Sequence, residues 1–256
     1  MLLQYLHQRV RQHGRQMQQK LHWVPGKMPG ILCCLNCLPN NVKPTIALLK
    51  DYSSKKAEEC CDGVVKVLLP YYNIKMFGHA QCNASTFKNV DMVALPGGVG
   101  EADDYDGYFL RKSANAMADY VSNGGRYLGI CIGAYWAGKH FFDILDGVDA
   151  VQYIKRPTAD IRRSYNTVAS VIWNNIPQKM FFRDGCAFVG DTKKFTTIAS
   201  YANGDPMAII QNRIGLMGAC PDSLESWYSK PYLKPHWHHG RHHTLLREFI
   251  NQLMER

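Results

Sequence analysis

The chain lacks any run of about 18 consecutive apolar residues, so nothing in it has the length of a membrane-crossing helix. Acidic residues are missing from the first 43 positions, where Arg9, Arg11, Arg15, Lys20, Lys27 and Lys43 stand unopposed. That stretch holds six of the nine net positive charges and leaves the body close to neutral. It reads as a solvated basic extension, and nothing in the body calls for a nucleic-acid partner. A secretory signal is not legible either. The one apolar piece, "GILCCLNCL", is short, far from the start and without an A-x-A-like cleavage site. Serine is absent from the same stretch, unlike an organelle transit peptide.

Nine cysteines in 256 residues are too few and too irregular for the disulfide framework of a small secreted domain. Their use points to a reducing, cytoplasmic setting. Cys34 and Cys37 form a C-x-x-C and Cys60-Cys61 a second pair, but no further spaced pair follows to complete a zinc site. The sequence therefore calls for no metal and no cofactor. It has no internal repeat. The expected organisation is a basic extension over 1–43 and one α/β domain over 44–256.

Strand-like and helix-like runs alternate through the first half of that domain. "PTIALLKDY" (44–52), "NIKMFG" (73–78), "VDMVALPGGVG" (90–100) and "RYLGIC" (126–131) read as buried strands. Between them, 53–72 and 107–125 read as helices. The second places Leu110, Ala114, Met117, Ala118 and Val121 on one face and ends at Gly124. Strands apolar on both faces with short helical connections predict a mostly parallel sheet flanked by helices, flavodoxin-like in class. The C-terminal half predicts an antiparallel extension. Runs 194–201 and 206–211 are joined by the turn signal "ANGD", a third run covers 213–219, and Thr244 to Met254 forms a last helix.

One cysteine stands out by its setting. In "GGRYLGICIGAYWAG", Cys131 follows a buried strand, precedes a helix, and lies between Gly129 and Gly133. A strand-to-helix turn that exposes a nucleophile needs small residues at those two places, so G-I-C-I-G is the thiol counterpart of the G-x-S-x-G nucleophile elbow. Such a turn sets the thiol at the carboxyl end of the sheet and at a helix N-terminus, which favours a thiolate. Gly97 and Gly98, ending the preceding strand, can bring backbone N–H groups to a developing oxyanion. Ile132, Gly133 and Tyr135 follow the thiol on the substrate side, though Tyr135 and Trp136 also suit packing of helix on sheet. Glu101, Asp103, Asp104 and Asp106 form an acidic cluster that suits either the pocket mouth or the first turn of the next helix. His236, His238, His239, His242 and His243 lie within eight residues and read as a polar loop, a metal-binding tract or a source of a catalytic base.

"VALPGG", "GGRYLGICIGAYWAG" and "FTTIASYANGDPMAIIQNRIGLMGACPDS" resemble successive blocks of the class I glutamine amidotransferase-like superfamily. The nearest form is the N-terminal domain of eukaryotic-type biotin–protein ligases and the stand-alone proteins that share it. The resemblance covers roughly residues 44–228, and no biotin-adenylate motif of the GRGRxG type occurs. It implies a Cys131 nucleophile acting on an amide or acyl carbon of a small molecule. A separate acceptor subunit would be needed to use released ammonia. In active members the strand after the hairpin ends in His-Pro-Glu. Here the same place reads Cys220-Pro221-Asp222, so the resemblance implies that Cys220 replaces the catalytic His and Asp222 the Glu. A thiol does not accept and return a proton near pH 7 as imidazole does. Three functions stay open: a Cys-dependent amidotransferase or hydrolase with an incomplete triad, a non-catalytic ligand-binding or regulatory module, and a sensor that pairs the Cys131 and Cys220 thiols.

Overall fold

Aliphatic runs bounded by glycine and proline build the sheet that carries the site. The computed structural model describes residues 43–50, 55–98 and 107–256. Residues 1–42 of the basic extension, with the Cys34/Cys37 pair, and the acidic cluster at 101–106 lie outside the described residues. Strands and helices alternate first: β1 (Thr45–Leu49), α1 (Lys55–Leu68), β2 (Asn73–Phe77), α2 (Ala84–Phe87), β3 (Met92–Leu95), α3 (Arg111–Ser122), β4 (Arg126–Ile130) and α4 (Ile132–Tyr135). Seven more strands and a helix follow: β5 (Val148–Gln152), β6 (Thr167–Trp173), β7 (Ile176–Phe182), β8 (Cys186–Gly190), β9 (Thr196–Tyr201), β10 (Pro206–Gln211), β11 (Ile214–Met217) and α5 (Arg241–Met254).

Nine strands form one sheet in the order β2-β1-β3-β4-β11-β10-β9-β6-β7, and β5 pairs with β8 in a separate ribbon. The first five run parallel, and the pairs from β11 outward are antiparallel. This is the expected α/β class, a parallel centre with an antiparallel flank. β1 shows why the centre reads apolar on both faces. Ile46 and Leu48 join one buried cluster with Val64 and Leu68 of α1 and Leu246 and Phe249 of α5. Ala47 and Leu49 join the cluster on the opposite face with Met117 of α3 and Trp136 after α4. Alternate side chains thus meet helices on both sides of the sheet.

Several boundaries differ from the sequence reading. Leu110 is 60% exposed because it is the N-cap of α3, and Ser113 takes the buried position instead. α5 begins at Arg241, three residues before the expected start, so His242 and His243 are helical and not part of a loop. The helix expected after Cys131 is a single turn. The antiparallel strands between 148 and 190 were not foreseen. β6 and β7 form a hairpin across Asn174-Asn175, both in the left-handed region at φ 46° and 65°, the geometry of a two-residue primed turn.

Candidate functional site

Three neighbouring parallel strands end side by side, and each delivers one part of the site. Gly97 and Gly98 follow β3, Cys131 follows β4, and Cys220 lies three residues beyond β11. The carboxyl edge of a parallel sheet is where ligands bind in open α/β folds. Cys131 sits at φ 53° and ψ −109°, a backbone region that costs a non-glycine residue of order 1–3 kcal/mol. Its amide donates to the Met217 carbonyl at 2.7 Å, tying the turn to β11. The two glycines allow the turn for different reasons. A Cβ on Gly129 would stand 2.4 Å from the Gly133 carbonyl oxygen, and one on Gly133 would stand 2.0 Å from that of Leu95. Tyr127 closes the turn from below by donating its hydroxyl to the Gly133 carbonyl.

The two thiols meet. Cys131 and Cys220 are 8% and 5% exposed, and neither is in a disulfide. Cys220 is hydrogen-bonded to Cys131, and that bond, followed by burial, holds the Cys220 thiol well above its ordinary range. Cys220 therefore keeps its proton at neutral pH. A Cβ placed on Gly97 would lie 3.6 Å from Cys131 Cβ and 4.0 Å from Cys220 Sγ, so the glycine backbone flanks both sulfurs. Cys131 also donates to the Arg183 carbonyl at 3.6 Å. A cavity of about 280 Å³ opens on this group. Cys131, Cys220, Gly97 and Gly98 line it together with Glu59 of α1, Asn166, and Arg183 just past β7.

Other expected residues fall elsewhere. Tyr135 donates to the Asp184 carbonyl at 3.1 Å and faces a different cavity, so it packs rather than meets the Cys131 pocket. Ile132 is buried in the one-turn helix and does not line the pocket. The Ile132 and Gly133 amides, as the first two of that helix, have no acceptor within it. A helix of four residues adds little dipole to the thiol, which removes one reason given above for a thiolate. No histidine is among the described residues that line the pocket. His238 and His243 both hydrogen-bond the Ser223 carbonyl, at 3.3 and 3.0 Å. The Gly240 amide donates to His238 Nδ1, so His238 presents Nε2–H to Ser223. These rings brace the segment after Cys220. Among the described residues, no three His, Cys, Asp or Glu side chains gather as a metal site.

Asp222 is wholly buried with neither carboxylate oxygen hydrogen-bonded among the described residues. It packs against α1 where Gly63 leaves room; a Cβ there would stand 2.4 Å from the Asp222 carbonyl oxygen. Burial pushes the carboxyl up to about 7. The folded chain therefore holds a proton that the unfolded chain releases near its ordinary value of about 4. Between those two values the folded state binds more protons, so this group makes stability fall as pH rises. Asp222→Asn removes that loss. Its stability relative to the parent is expected to improve from about pH 4 to about pH 7, by up to about 4 kcal/mol, in urea unfolding at each pH. A difference that stays flat with pH would mean that Asp222 is ionised in the fold. Arg183 and Asn166 were missed in the sequence. The only available signal was the charge in "FFRDG", where an apolar run ends in a turn.

Comparison with known proteins agrees with this architecture. Residues 50–147 match the family model described as biotin-protein ligase, N terminal. An uncharacterized protein of Chlamydia muridarum (strain MoPn / Nigg) is 31% identical over 150 residues, half of this chain and 56% of that protein. The chain thus spans little more than half the length of this curated relative. A glutamine amidotransferase from Thermotoga maritima superposes with a TM-score of 0.56 at 11% identity, over 84% of this chain and 99% of that one. PurLQS from the same organism gives 0.55 at 13% identity, over 83% and 100%. At such identities the likeness is one of fold.

Proposed function

We propose that this chain, class I glutamine amidotransferase-like in fold and matched over 50–147 by the biotin-protein ligase N-terminal family, is a thiol acyl-transfer protein. Its nucleophile is Cys131, and its substrate is a small amide or activated acyl compound held in the cavity. The observation that carries the reading is the left-handed backbone at Cys131, sustained by two glycines that no side chain could replace without collision. Strain of this kind persists where the surrounding structure enforces it, and it gathers at reactive residues.

The Cys131 sulfur adds to the carbonyl carbon, and the carbonyl π pair moves to oxygen. The Gly97 and Gly98 amides and the unpartnered first amides of α4 stabilise the oxyanion. Cys131 gives up its proton to solvent as its sulfur adds. On collapse the leaving group departs with the bonding pair and takes a proton back from solvent. A thioester remains on Cys131, and Cys220 keeps its own proton. Water then resolves the thioester. With no imidazole among the described lining residues to activate that water, the second step is the slow one.

p-Nitrophenyl acetate tests this. The expected result is a burst of about one p-nitrophenolate per chain, followed by slow turnover, with the acetyl group on the Cys131 peptide by mass spectrometry. Cys131→Ala should abolish the burst. No adduct on Cys131 would overturn the reading. The absence of histidine among the described residues that line the pocket also favours a second one, in which the cavity binds its ligand without turnover. Small amides that raise the Tm of Cys131→Ala as they raise the parent's, with no burst from the parent, would select it.

A further inference from the structure

Arg183 lines the pocket, and its charge enters no ion pair among the described residues. Arg183 lies directly beside the nucleophile, since its carbonyl accepts the Cys131 thiol. Its guanidinium Nε is buried and has no hydrogen-bond partner among the described residues. Nor does Arg183 enter any of the ion pairs seen among them, Lys50–Glu58, Arg156–Asp205 and Lys194–Asp146. Its sequence neighbour Asp184 accepts two bonds from Gln152 Nε2. Glu59 is the one carboxylate among the lining residues, against two cations, Arg183 and Lys230. Among the described residues, the lining therefore holds one more positive charge than negative.

A buried N–H left without an acceptor is costly, and guanidinium is the side chain best matched to a planar carboxylate. We infer that Arg183 is a specificity residue of this site and binds a carboxylate carried by the acyl compound that Cys131 receives. The inference rests on Cys131 as the reactive thiol, and it narrows the substrate to small carboxylate-bearing acyl compounds. A cavity of about 280 Å³ suits a molecule of that size.

Iodoacetate and iodoacetamide separate the two claims, because they differ only in carrying a carboxylate or its neutral amide. With each, the Cys131 sulfur forms a bond to the methylene carbon and iodide leaves with the electron pair. Rates are read at the Cys131 peptide at pH 7, in the parent and in Arg183→Met. The expected result is that the variant loses about tenfold in its rate with iodoacetate, the worth of one charge-assisted contact, while its rate with iodoacetamide changes less than about twofold. Equal loss with both reagents, or loss with neither, overturns the assignment of Arg183. Failure of Cys131 to react with either reagent counts against the thiol reading instead. In that case, or if Arg183→Met does not fold, binding to the parent protein decides. Glutarate is expected to raise the Tm and its neutral diamide to leave it unchanged. An equal effect of both, or none, overturns the carboxylate site.

Discussion

Gly133→Ala is expected to cost the fold about 3 kcal/mol or more, the largest effect of any single methyl group at the site. The added carbon would stand 2.0 Å from the Leu95 carbonyl oxygen and 2.7 Å from its carbon. Those atoms are backbone at the end of β3, which is paired to β1 on one side and β4 on the other, so they have nowhere to go. Relief must come from moving α4, and that pulls Cys131 from the strained turn. Urea unfolding of the variant and parent measures the loss. A cost below about 1 kcal/mol would mean that the turn is looser than these distances require. The same variant should also lose the p-nitrophenyl acetate burst, even under conditions where it remains folded.

Cys220→His is expected to change reactivity as strongly as Gly133→Ala changes stability. It puts an imidazole where a protonated thiol now touches the Cys131 sulfur. An imidazolium beside a thiolate stabilises the charged form, and a neutral imidazole activates water for the second step. Alkylation of Cys131 by iodoacetamide at pH 7 should rise at least about tenfold, and the slow phase after the burst should quicken by about 10²-fold or more. Thermal unfolding serves as the control, since the ring is larger than the thiol in a tightly packed place. A folded variant with unchanged alkylation and turnover would show that Cys220 does not occupy the position of a base.

The parallel half and the turn at Cys131 were legible because backbone demands were written into residue type. Strands buried on both faces give continuous apolar runs such as "TIALL" and "MVAL", and a tight turn gives glycines at fixed places. The antiparallel strands over 148–190 were not read, although the signals of the β6–β7 hairpin were present. In β6, Ala169, Val171 and Trp173 point inward while Ile172 is 39% exposed, so apolar residues on both faces blur the alternation. Asn174-Asn175 was the better mark, a two-residue turn in which both positions need positive φ.

The site divided along the same line. Cys131, Cys220, Gly97 and Gly98 come together as the spacing and the resemblance led one to expect. Tyr135 leaves, because one helical turn aims it at Asp184. The histidines are close to Cys220 in sequence, yet they turn away to brace Ser223. Arg183 belongs to no motif. Its place depends on how β7 is registered against β6, a long-range fact that short patterns do not carry.

The pairing of β11 with β4 has a further consequence, in the order of synthesis. A chain elongated only through β4 already contains Cys131 and both of its glycines, but not the Met217 carbonyl that accepts the Cys131 amide. The strained turn therefore has no anchor, and the thiol no neighbour, until residues 214–220 have been made and have crossed back to the centre of the sheet. Closing so distant a strand pair is slow compared with local helix formation. The turn at Cys131 thus matures only after residue 220 has been made, and a chain truncated before β11 would carry Cys131 without the carbonyl and the thiol that hold it.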